Sequence, residues 1–137
     1  MKRLAFPFLL ACSACQGPDV IYEVEYSGSV ISDQTGAVEL WFLHSQWGDD
    51  TLETSYMVID TLWIDDASTF SGLLEVPQGT GSGLSVYGWQ DLNGDGEHCR
   101  PGTEPELAGL ASVTDYPNHV VEVELILDTA CEGPEGI

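Results

Sequence analysis

Apolar residues recur at every second position along most of this chain, and that period of two restricts its folds more than any other feature. In "VIYEVEYSGSV", Val20, Tyr22, Val24, Tyr26 and Val30 fall on one side of an extended backbone, with Glu23, Glu25, Ser27 and Ser29 on the other. Alternate side chains of a strand point to opposite faces, so the pattern describes a strand with one buried and one wet face. "AVELWFLH" repeats it, with Val38, Leu40 and Phe42 opposite Glu39 and Trp41. A third strand is expected in "TSYMVIDTLWID", with Tyr56, Val58, Leu62 and Ile64 on one face and Met57, Ile59 and Trp63 on the other. Further strands are expected from Phe70 to Val76, ending at Pro77, and in "LSVYGWQ", "ELAGLASVT" and "HVVEVELILD". "DQTG", "SQWGDD", "QGTGSG" and "DYPN" supply turn and loop residues between them.

No long segment after the N-terminus carries the 3.6-residue period of an amphipathic helix. The expected fold is all-β, an antiparallel β-sandwich of seven to eight strands following an N-terminal signal segment. It occupies residues 20–131, and 132–137 is a loose tail tied down at Cys131. About 120 residues suffice for one domain with one core. A hydrophobic share of 43% argues against disorder in spite of the acidity.

The N-terminus, "MKRLAFPFLLACSAC", joins a basic start at Lys2 and Arg3 to an apolar run from Leu4 to Ala11, too short to anchor in a bilayer. "LLAC" (Leu9 to Cys12) resembles a bacterial lipobox, in which the signal is cut before a cysteine that then carries lipid. The resemblance implies a signal peptide over 1–11, lipidation at Cys12 and a tether over 12–19. Cys15 is the alternative: cutting there lengthens a short signal and leaves Cys99 and Cys131 as a tidy pair. Neither Ser13 nor Gln16 is the aspartate that marks inner-membrane retention in such lipoproteins. The resemblance therefore implies the outer membrane or cell surface, with a periplasmic or secreted form as the alternative.

All 23 acidic residues lie beyond Cys15 while Lys2 and Arg3 precede it, so cleavage leaves Arg100 as the one strong base and a formal charge of −22. Such a surface is repelled by phosphate backbones, which sets nucleic acid aside as a partner. It does not adhere to an anionic bilayer by charge either, so membrane attachment falls to the lipid. Cations, neutral sugars and basic proteins remain as partners.

One short stretch stands apart. "DLNGDGEHC" has Asp91, Asn93 and Asp95 at alternate positions and Gly96 behind them, matching positions 1, 3, 5 and 6 of an EF-hand loop, with the Glu97 carbonyl at 7. Cys99 and Gly102 then stand where ligands 9 and 12 belong, and Glu104 arrives two residues late. A strand enters the loop and Pro101 and Pro105 follow it, so no helix pair flanks it. "VYGWQDLNGDG" resembles the strand and acidic loop of extracellular bacterial β-sandwich domains of transthyretin-like (prealbumin-like) or Ig-like outline. Dockerins and thrombospondin-type repeats use similar aspartate spacing for calcium. The resemblance implies calcium as cofactor, with Asp91, Asn93, Asp95, Glu97 and Glu104 as its ligand candidates. A metal-free Asx turn is the competing reading. Cys99 and Cys131 are expected to form a disulfide in an oxidising compartment. A zinc site at His98 and Cys99 lacks a spaced partner such as C-x-x-C.

Catalysis needs a nucleophile with a base, or carboxylates of separated pKa. His44, His98 and His119 are scattered, Asp49–Asp50 and Asp65–Asp66 read as solvated turn pairs, and no G-x-S-x-G or H-E-x-x-H is present. The expectation is a non-catalytic, lipid-anchored, calcium-stabilised envelope domain for structural or protein–protein contacts. Carbohydrate binding is the alternative, with Trp47 in "SQWGDD" as the exposed contact. Trp41, Trp63 and Trp89 fall on strands, where packing is the default.

Overall fold

The computed structural model describes residues 21–47, 54–77, 83–100 and 105–137. The signal segment, Cys12, Cys15, Asp49, Asp50 and Glu104 lie outside the described residues, as does the side chain of Trp47. The described residues form eight strands: β1 (Ile21–Ile31), β2 (Ala37–Trp47), β3 (Thr54–Ile64), β4 (Thr69–Pro77), β5 (Gly83–Asp91), β6 (Leu107–Ser112), β7 (Val120–Ile126) and β8 (Thr129–Ala130). They form a three-stranded sheet, β4-β1-β7, and a five-stranded sheet, β3-β2-β5-β6-β8. The molecule is the β-sandwich that the alternation implies, with no helix among the described residues. Every pairing is antiparallel except β1 with β7, which run parallel.

The main core lies between the sheets and is built from the expected faces. Val24, Tyr26 and Val30 of β1 meet Val38, Leu40 and Phe42 of β2, joined by Leu74, Val86, Val123 and Leu125. The sheets come closest at Gly88 of β5, where an added Cβ would stand 2.6 Å from Leu125 Cδ2 and 3.1 Å from Leu40 Cδ2. Gln90, fully buried at the end of the same strand, donates to the carbonyls of Gln34 and Gly36 and accepts from the Ser32 hydroxyl at 2.6 Å. Its amide is satisfied, and the β1–β2 turn is held against β5.

β3 departs from the expected faces. Its register against β2 slips between Phe42 and Leu43, leaving Ile59 as an extra residue. A bulge of this kind inverts the parity of side chains on its two sides. Ile59, Leu62 and Ile64 therefore pack on the main core, Tyr56 turns to the other face, and Val58 is 49% exposed. Trp47 also differs from expectation: it closes β2, paired with Thr54, instead of sitting in a loop.

β5 is buried along both faces. Its inner face supplies Leu84 and Val86 to the main core. On its outer face Tyr87 and Trp89 join Leu43 and Ala108 in a second apolar cluster, bordered by Trp41, Tyr56, Leu110 and Cys131. Two pieces of chain cover it. The segment after β5 folds back so that the His98 ring lies 4.6 Å from Trp41 and 5.4 Å from Trp89. The C-terminal segment crosses beside it, with the Cys131 N–H on the Glu106 carbonyl and the Tyr87 hydroxyl donating to the Glu132 carbonyl at 2.5 Å. Within the expected tail Pro134 is buried, while Glu132 and residues 135–137 are exposed.

Candidate metal centre

β5 ends at Asp91, and the chain turns at once around that carboxylate. Asp91 Oδ1 accepts the N–H groups of Gly94 and Asp95 at 2.7 and 3.2 Å, and Oδ2 accepts that of Gly96 at 2.9 Å. Gly94 and Gly96 have φ of 73° and 70°, in the left-handed region that favours glycine. Asn93 Oδ1 accepts the Asp95 N–H at 2.8 Å, and Asp95 Oδ1 accepts that of Glu97 at 2.8 Å. The acidic spacing thus folds as a nest of side-chain-to-backbone bonds, as short polar side chains at turns do.

The expected ligand residues are not all brought together. Asp91 and Asp95 are, with Asp91 only 8% exposed. Asn93 is exposed, and its amide donates to Asp95 Oδ2 at 3.1 Å. The Glu97 carboxylate is paired with Arg100 at 2.9 Å on the solvent side, in an exposed contact of the kind that contributes little. Arg100 also stands 3.8 Å from Asp95 Oδ2.

The residue that sequence reasoning missed is Glu106. It is 2% exposed, and one oxygen each of Asp91, Asp95 and Glu106 lie within 4.8 Å of one another. The β5–β6 register explains the meeting: Trp89 pairs with Ala108 and Gln90 with Leu107, so the next step sets Glu106 beside Asp91 on the outer face. Burial pushes the Glu106 carboxyl above its ordinary value, and the charges of Asp91 and Asp95 push it further. The backbone N–H groups of Cys99 and Arg100 offset part of the rise, but neither reaches hydrogen-bonding geometry, and both carboxylate oxygens are left without a partner. Like charges directly opposite on neighbouring strands repel, and a buried unsatisfied polar group costs about 1–3 kcal/mol, more when charged.

Cys99 and Cys131 form the expected disulfide, 32 residues apart, with S–S 2.00 Å. Cys99 itself has φ 50°, an uncommon left-handed conformation for a non-glycine residue. His98 is close to both sulfurs but they are bonded to each other, which leaves no thiolate for a soft metal. Its Nε2 is 2.7 Å from the Tyr87 hydroxyl, and burial lowers its pKa, partly offset by the Glu39 charge.

The other two histidines are also held in packing. His44 is 1% exposed, with Nε2 3.2 Å from the Tyr116 hydroxyl. His119 stacks on Tyr22 and its Nδ1 reaches the Glu23 carbonyl. No family model matches the chain, and no curated protein or solved structure is significantly similar to it.

Proposed function

We propose that this chain is a non-catalytic, lipid-anchored domain of the bacterial envelope, stabilised by calcium, which binds a protein of basic surface through the outer face of β4-β1-β7. The observation that carries the reading is the make-up of that face. Glu23 lies opposite Glu75, Ser27 opposite Glu122 and Ser29 opposite Glu124, so five glutamates, with Glu25, share one uncovered side of the sheet. Leu73 and Val120, 57% and 64% exposed, flank Glu25 on the two neighbouring strands. Glutamates at directly opposed positions destabilise a sheet, so a surface that keeps them gains where a cationic partner relieves the repulsion.

A groove of about 340 Å³ lies beside Glu25, Ser71 and Leu73 on the same face. The lipobox-like Leu9 to Cys12 supports the anchor and, with it, the outer membrane or cell surface.

The test is photo-crosslinking in the native envelope from a reactive residue at Ser27. A discrete protein adduct, suppressed when Glu23, Glu75, Glu122 and Glu124 are changed together to Gln, is the expected result. Turnover of an ester, peptide or glycoside by the purified chain would remove the non-catalytic reading. Carbohydrate binding has one observation in its favour: Trp63 is 46% exposed and edge-on to Trp89 at 5.4 Å. A glycan that quenches tryptophan emission in the native chain but not in Trp63→Ala would select that alternative.

A further inference from the structure

We infer that Asp91, Asp95 and Glu106 hold one calcium ion, with Glu106 of the neighbouring strand closing a site that the loop alone leaves incomplete. The inference rests on the calcium part of the proposed function and fixes where the ion sits and which residue makes it bind. Glu106 is the deciding group, because its two oxygens are buried with no partner while facing two further carboxylates.

Three ways to satisfy Glu106 without a metal fail on this chain. A basic side chain is the usual one, but beyond Arg3 the sequence holds a single arginine and no lysine. That arginine, Arg100, is 56% exposed and paired with Asp95 and Glu97. Histidine is the second, and His98 is placed against Tyr87, Trp41 and Trp89, where burial favours its neutral form. A proton is the third. It removes the charge but leaves a buried O–H for which no acceptor stands within bonding geometry among the described residues, and the nearby Cys99 and Arg100 N–H groups can only donate.

A divalent cation answers all three carboxylates at once. Asp91 accepts three N–H bonds, and an ionised carboxylate has about four lone-pair sites, so capacity remains on Oδ2 for an ion. Oxygens on opposite sides of a calcium shell, at about 2.3–2.6 Å from the ion, stand about 4.6–5.2 Å apart, and one oxygen of each residue falls inside that span. Calcium is favoured over magnesium because the site asks for dehydration: Glu106 is buried, whereas magnesium retains several waters and demands near-octahedral geometry. Glu106 follows Asp91 by fifteen residues, not the eleven of an EF-hand, because it is delivered by strand pairing and not by a continuous loop.

The experiment is thermal unfolding of the oxidised full chain, chelator-stripped and then supplied with calcium or magnesium chloride. It is run on the native sequence, Glu106→Gln, Asp95→Asn and, as a charge control, Glu124→Gln on the far sheet. The expected result is a rise of roughly 5 °C or more in millimolar calcium, absent with magnesium, kept in Glu124→Gln and lost in Glu106→Gln and Asp95→Asn. Stripped of calcium, Glu106→Gln should melt at or above the native chain, because the orphaned charge is gone. This separates loss of a ligand from a failure to fold. An equal calcium shift in native and Glu106→Gln would overturn the role of Glu106 while leaving the loop as a calcium site. No shift in the native chain would remove the calcium reading and this inference with it, and an equal shift with magnesium would overturn the choice of ion.

Discussion

The sandwich has two outward faces, and they are treated in opposite ways. Among the described residues nothing covers the outer side of β4-β1-β7, which carries five exposed glutamates with Leu73 and Val120 among them. The outer side of the five-stranded sheet carries Tyr87 and Trp89, and the chain returns twice to cover them, once with His98 and once with residues 131–134. Three of the described residues with positive φ, Gly94, Gly96 and Cys99, lie in the chain that covers this face. A face meant to stay wet needs nothing more than alternation, whereas a face covered by irregular chain needs every carbonyl and carboxylate of that cover satisfied. The acidic nest and the disulfide both stand where that demand is greatest.

The contrast can be broken most forcefully at the disulfide. Changing Cys99 and Cys131 together to Ser should lower stability by about 3–4 kcal/mol in the chain-entropy model, measured by urea unfolding. Tryptophan emission should shift to the red as the cover lifts from Trp41 and Trp89. An unchanged spectrum in the folded variant would mean that packing alone holds the cover down.

Tyr87→Phe removes only the hydroxyl that reaches Glu132 and His98, and should cost about 1–2 kcal/mol in the same measurement. Burial and the nearby charges of Glu106 and Glu39 hold that hydroxyl protonated, well above the usual phenol range, so it serves as a donor at any working pH.

A smaller effect is expected from pH. His98 has its pKa lowered in the fold, so the unfolded chain takes up the proton first. Its contribution is whole above an unfolded value of about 6.5 and declines as pH falls from there toward the folded value. His98→Gln should flatten that stretch of the melting-temperature profile, and an unaltered slope would place its origin elsewhere. Least of all should Val120→Ser matter: on the bare face it should change stability by no more than about 0.5 kcal/mol. A larger loss would show that this face is covered after all.

The sequence exposes these two faces unequally. Val24, Val38, Leu40 and Phe42 could be assigned to the core because strand parity is a local rule, and in β3 it failed at Tyr56, Val58 and Ile59, where a bulge leaves no local mark. Asp91, Asn93 and Asp95 were legible as a turn around a carboxylate because that geometry is also local. Glu106 was not, although it shares parity with Ala108 and Leu110. Its meeting with Asp91 depends on the β5–β6 register, which a long intervening loop hides. The parallel pairing of β1 and β7 was hidden for the same reason, being a relation between strands distant in the chain.

That parallel pairing has a kinetic consequence. Ile31 is matched with Ile126, 95 residues further along the chain (126 − 31), so β1 gains its second neighbour only when all of that intervening chain is present. Folds dominated by such distant pairings cross their barrier slowly, on the order of milliseconds to seconds for all-β domains. A chain that still lacks β7 therefore cannot complete its smaller sheet. The order in which residues arrive acts as its own timer, and assembly waits for the last long strand.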